Sequence, residues 1–143
     1  MKRAGFTMIE LIFVIVILGI LAAVAIPKLA ATRTDAEVSK AASDLATVIT
    51  DMGSYYTAQG AFANLSTMTN VVDFDDVAKG AASGDTANFQ VGGVDCVLLT
   101  FSADTVTLSD VADGTATPSC GGLQAAASDL IVAHKFGGTG VTY

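Results

Sequence analysis

Histidine occurs once in this 143-residue chain, cysteine twice and tryptophan not at all. The lone His134 stands beside Lys135 in a polar stretch and reads as a surface side chain rather than a catalyst. Two cysteines and one distant histidine contain no short-spaced ligand pair of the kind zinc needs. Basic residues are scarce too: beyond Lys2-Arg3 there is no Lys/Arg cluster, and the formal net charge is -7. A phosphate backbone attracts only a basic surface, so direct nucleic-acid binding is set aside. Gly92-Gly93 and Gly121-Gly122 read as turn residues, without the strand-loop-helix context of a phosphate-binding loop. The expectation is therefore a protein that is not an enzyme and needs no cofactor or metal.

What the chain has in excess is apolar character. Apolar residues make up 52% and charged residues 15%, with the excess gathered in the first 27 positions. A chain of this length forms one globular unit plus appendages rather than two ordinary domains. Cys96 and Cys120 are an even pair, read as one disulfide or as two buried thiols. If bonded, they stabilise the fold by about 3.5 kcal/mol on the chain-entropy estimate and require an oxidising compartment.

Between Leu11 and Ile26 there is no charged residue, and the apolar character reaches back to Phe6, broken by Thr7, Glu10 and Gly19. As a helix, residues 6–26 span about 31 Å, the thickness of a bilayer core. Lys2 and Arg3 precede this run, so the positive-inside tendency places the N-terminus in the cytoplasm and the acidic remainder outside.

The helical pattern continues past Pro27. Val38, Ala42, Leu45, Ile49, Met52 and Tyr56 form one apolar stripe at spacings of three and four, while Arg33, Glu37, Lys40, Asp44 and Asp51 fall on another face. The pattern predicts one kinked helix over 6–58, apolar all round in its first half and amphipathic in its second. Residues 71–78 are expected to form a short helix capped by Asn70, 87–91 a strand, 94–102 and 105–111 a hairpin, 122–132 a short helix or turn, and 137–143 a loop running into an edge strand. The fold class is α+β, with a small antiparallel sheet laid on the amphipathic half of the helix. Asp73, Asp75 and Asp76 do not match a calcium-loop spacing and read as a solvated turn.

The segment Gly5-Phe6-Thr7-Met8-Ile9-Glu10-Leu11-Ile12, with its basic leader and apolar continuation, resembles the type IV pilin-like family: pilins, type II secretion pseudopilins and DNA-uptake pseudopilins. The likeness covers residues 1–58, Gly19 and Pro27 included, and beyond that only the plan of a sheet on a helix. It implies a prepilin leader at 1–5, a transmembrane and assembly segment at 6–27, and a head at 28–143 made of an amphipathic helix half (28–58) and a sheet domain (59–143). It also implies cleavage between Gly5 and Phe6 by the family's membrane peptidase and N-methylation of Phe6.

Polymerisation with identical or related subunits follows from the same resemblance, through a single-pass inner-membrane state with the head in the periplasm and with an assembly platform as partner. The assembly residues it implies are Thr7, Glu10, Gly19 and Pro27. A carboxylate in the apolar run costs about 2.5 to 3.5 kcal/mol at mid-membrane, so Glu10 needs a partner: the Phe6 amine, or the positive end of its own helix dipole. Gly19 and Pro27 imply a helix that loosens between them when subunits leave lipid. The Cys96 to Cys120 loop would correspond to the disulfide-bounded surface region of pilins. No Trp-containing calcium loop of the kind seen in many major secretion pseudopilins is present. The alternative is a secreted soluble domain released after Ala25, at the Ala23-Val24-Ala25 pattern; Glu10, the length of the apolar run and Pro27 beside the cut all count against it.

Overall fold

The computed structural model describes residues 5–111 and 117–138. Three helices and four strands follow in the order α1 (Met8–Gln59), α2 (Leu65–Met68), β1 (Thr86–Val91), β2 (Val94–Phe101), β3 (Thr105–Asp110), α3 (Pro118–Ala126) and β4 (Ala133–Lys135). Two units meet within α1, between Thr34 and Asp35.

In the first unit the helix runs on through Pro27. Proline has no N–H, so the carbonyl four residues back loses its partner there. Just beyond, the Thr32 hydroxyl donates to the Leu29 carbonyl at 2.9 Å and the Thr34 hydroxyl to the Ala30 carbonyl at 3.3 Å. Every side chain from Phe6 to Arg33 is exposed.

In the second unit the remainder of α1 packs on a four-stranded antiparallel sheet of order β1-β2-β3-β4. The helix buries Ala41, Leu45, Val48, Met52 and Tyr56. The expected stripe is thus turned slightly: Leu45, Met52 and Tyr56 lie at its centre as read, Ala41 and Val48 join them, and Ala42 and Ile49 pack along its flank. Against it the strands alternate in the period of two that puts successive side chains on opposite faces: Ala87, Phe89 and Val91 from β1, Val97, Leu99 and Phe101 from β2, and Val106 and Leu108 from β3 are buried. Each large apolar side chain so buried contributes about 1.5 to 3 kcal/mol.

The β1–β2 hairpin turns at Gly92-Gly93, whose φ of 62° and 83° suit the two-residue connection that matches strand twist. Its register shifts after Phe89, which faces Val97 while Gln90 faces Asp95, so Cys96 is the extra residue on β2. A bulge re-aims a side chain. It lets Cys96 and Val97, neighbours in sequence, both be fully buried.

Two expectations are corrected. Residues 71–78 are not a helix and Asn70 caps none; the helical turn lies earlier, at Leu65–Met68. The edge of β1 needs partners for its outward backbone groups, and residues 73–75 supply them: the Asp75 N–H donates to the Asn88 carbonyl at 3.0 Å, and the Gln90 N–H to the Asp73 carbonyl at 2.8 Å. Phe74 forms a bridge to Phe89, their rings meeting edge-on at 5.5 Å. Aspartates whose carboxylates bond nearby backbone compete with a helix; here Asp75 accepts from the Asn88 N–H at 2.6 Å and Asp76 from the Ala78 N–H at 2.9 Å.

Gly121-Gly122 is not a turn but lies inside α3, which starts at Pro118. Thr117 is its N-cap, accepting from the Cys120 N–H at 3.4 Å, and Pro118 occupies the first turn, where a missing N–H costs nothing. Among the described residues the last strand is β4, Ala133–Lys135, which the sequence reading did not anticipate. Of the loop and edge strand expected over 137–143, residues 139–143 lie outside the described residues.

Candidate functional site

The N-terminal segment is built around one local motif. Thr7 precedes the first turn of α1, and the first helical bond is donated by the Leu11 N–H to the Thr7 carbonyl at 3.2 Å. The Thr7 N–H donates to Glu10 Oε2 at 2.8 Å, the Thr7 hydroxyl donates to the same oxygen at 2.7 Å, and the Glu10 N–H donates to Thr7 Oγ1 at 3.3 Å. This is a capping box: residues three apart satisfy each other's otherwise orphaned backbone N–H groups. Thr7 and Glu10 are thereby brought together. The carboxylate sits at the positive end of the helix dipole, the second of the two partners the sequence offered it.

Gly5 and Phe6 precede the helix, and Phe6 is 89% exposed. Among the described residues no atom lies within 4 Å of where a Cβ on Gly5 would lie. Gly19 likewise faces open space. From Phe6 to Leu29 the large apolar side chains Phe6, Ile9, Leu18, Ile20, Val24 and Ile26, among others, all stand exposed. Helix α1 is long and apolar enough to cross a membrane. The leader residues Met1 to Ala4, Lys2 and Arg3 among them, lie outside the described residues.

In the second unit Cys96 and Cys120 are bonded, with Cα atoms 5.2 Å apart, joining β2 to α3. The Gln124 amide donates to the Cys96 carbonyl at 2.9 Å across the same junction. Lys40 Nζ pairs with Asp44 on its own helix and with Asp73 on the β1-edge segment, both at 2.7 Å. Those carboxylates, Asp44 first, hold the Lys40 ammonium well above the usual lysine range. The Thr69 hydroxyl donates to Asp51 at 2.7 Å. Asp44 thus pairs with Lys40 along the polar face of α1, while Asp51, read on that same face, holds Thr69 beyond the helix.

The Lys40 node bounds a cavity of about 110 Å³ lined by Glu37, Ala41, Asp73, Gln90, Val91 and Gly92. Asp73, Asp75 and Asp76 accept from Lys40, the Asn88 N–H and the Ala78 N–H respectively. Half-buried His134 donates from Nε2 to the Leu130 carbonyl at 2.8 Å, and its ring stacks on Phe136.

The capping box was legible as Thr-x-x-Glu ahead of an apolar run, and the α3 cap as Thr117-Pro118; both signals were missed. The Lys40–Asp73 tether joins residues 33 apart and has no local signature.

Residues 1–26 match the family model described as the prokaryotic N-terminal methylation motif, the signature of type IV pilins and pseudopilins. Comparison with curated proteins and with solved structures finds no match.

Proposed function

We propose that this chain is a structural subunit of a filament of the type IV pilus or type II secretion pseudopilus kind. It is processed between Gly5 and Phe6, methylated at Phe6, held in the inner membrane by residues 6–27 with its head (28–143) in the periplasm, and polymerised through its N-terminal helix. The observation that carries this reading is the methylation motif joined directly to a helix whose apolar side chains are all exposed from Phe6 to Leu29. So long an apolar surface is not stable in water. Lipid covers it first, and neighbouring copies cover it afterwards.

The site's geometry fits processing. The Gly5–Phe6 bond precedes the first helical turn, where a peptidase can bind it in extended form. The capping box ends the helix just after the bond. Once the leader is removed, the new Phe6 amine joins Thr7 as a donor near Glu10. The work of such a subunit is mechanical, and its partners are other pilin-like subunits, the processing peptidase, the assembly platform and the bilayer.

Glu10→Ala in a host carrying the peptidase and platform tests assembly apart from processing. In a filament the carboxylate would face the Phe6 amine of its own or a neighbouring copy, and its loss leaves that amine unpaired, so filaments sheared from the cells are expected to disappear while the cleaved chain persists in the membrane. Undiminished filaments from this variant would remove Glu10 from assembly.

A further inference from the structure

The 24 residues from Leu11 to Thr34 contain two cations, Lys28 and Arg33, and no carboxylate. Lys28 is exposed, and among the described residues it makes no ion pair. Asp35 is the first carboxylate after the apolar run; it too is exposed, and it has no cation within ion-pair distance among the described residues. The two are seven residues apart in α1. That spacing sets them on one side of a helix but two turns, about 10 Å, from each other, whereas side chains pair within a helix at three or four. Two other cations are matched internally, Lys40 with Asp44 and Asp73 and Lys135 with Asp104.

We infer that Lys28 of one copy pairs with Asp35 of a parallel neighbour shifted by seven residues along the helix. This contact rests on the filament reading and gives it a register. Complementary charges a fixed distance apart on one face leave a copy in the same register unpaired and like facing like, and satisfy a copy displaced by that distance.

A second copy suits Lys28 better than an anionic bilayer does. Cations on the translocated side of a span run against the positive-inside tendency. The head that follows repels anionic lipid, since residues 35–143 hold three basic and thirteen acidic side chains. Those same heads repel each other, and a cross-copy contact between Lys28 and the acidic side offsets part of that repulsion. The pair acts chiefly as a selector of register, and rising ionic strength weakens it.

The test uses the full chain in a host with the processing and assembly machinery, scoring sheared filaments against mature subunit in the membrane. Lys28→Asp and Asp35→Lys each place like charges in contact and are expected to lower filament yield about ten-fold or more, while the double exchange restores it to within about two-fold. Independently, a chain carrying both Lys28→Cys and Asp35→Cys is expected to give a ladder of oxidised multimers, because its native cysteines are already bonded to each other. Normal filaments from both single variants would overturn the pair, as would a double exchange that fails to restore them or filaments without a ladder. Loss of Lys28→Asp from the membrane before assembly would move Lys28 to lipid headgroups and overturn it too. Absence of filaments from the unaltered chain would instead overturn the filament reading, and this contact with it.

Discussion

Val38 Cγ2 stands 2.7 Å from where a Cβ on Gly122 would lie, closer than real side chains approach. Glycine is a poor helix former, yet here it lets α3 approach the head portion of α1. Alanine would gain about 1 kcal/mol of helix propensity but meet a β-branched side chain with few rotamers to escape into, and overpacking of this kind costs about 1 to 3 kcal/mol. Gly122→Ala is therefore expected to lower the melting temperature of the detergent-solubilised chain, and Val38→Ala in the same molecule to recover much of the loss. A rise in melting temperature for Gly122→Ala alone would show the contact to be slack. Nothing local distinguishes such a glycine from a turn glycine. Gly92-Gly93, flanked by strand residues, was readable as a turn, while the identical pair at 121–122 was not readable as part of a helix, because its reason lies 84 residues away at Val38.

The long helix was the most legible element, because its period of three and four runs unbroken from Val38 to Tyr56 and its apolar run needs no partner to be recognised. The hairpin of β2 and β3 was legible for the same reason, with the period of two and a short polar turn. The segment 71–78 was misread because its apolar spacing fits a helix, and only the unpaired edge of β1, contributed by residues 86–91, decides otherwise.

Strand β4 has three residues and depends on the β2–β3 turn: the Phe136 N–H donates to the Asp104 carbonyl at 2.9 Å, and Lys135 Nζ lies 3.4 Å from Asp104 Oδ2. The Thr105 hydroxyl first, and then Lys135, hold the Asp104 carboxyl below its ordinary range. A depressed carboxyl contributes stability that is present above its unfolded pKa of about 3.9 and lost as pH falls through the folded value. Hydrogen-exchange protection of the β4 amides is thus expected to fall on acidification below about pH 4 in the native chain. In Asp104→Asn it is expected to be lower already at neutral pH and less sensitive to acid. An identical acid response in the two chains would detach β4 from this carboxylate.

At the scale of the whole molecule, burial and charge are divided along the chain. Residues 35–143 carry the hydrophobic core, the disulfide and thirteen of the fourteen acidic side chains; the segment before them has no buried side chain among the described residues. The head folds around its own portion of α1, and the apolar side chains of the remainder stand exposed. The N-terminal assignment was open to sequence reading because it depends on contiguous residues. The head's internal ties, Lys40 to Asp73 and Cys96 to Cys120, depend on a tertiary fold that brings distant residues together.

The central claim, that this is a processed and methylated filament subunit, is tested most directly by the intact mass and N-terminal sequence of the chain recovered from membranes of a host with the processing peptidase. A chain that begins at Phe6 and is heavier by one methyl group is the predicted result. A chain that begins at Ile26 in the soluble fraction would contradict it, and would make the protein a secreted domain cut after Ala25.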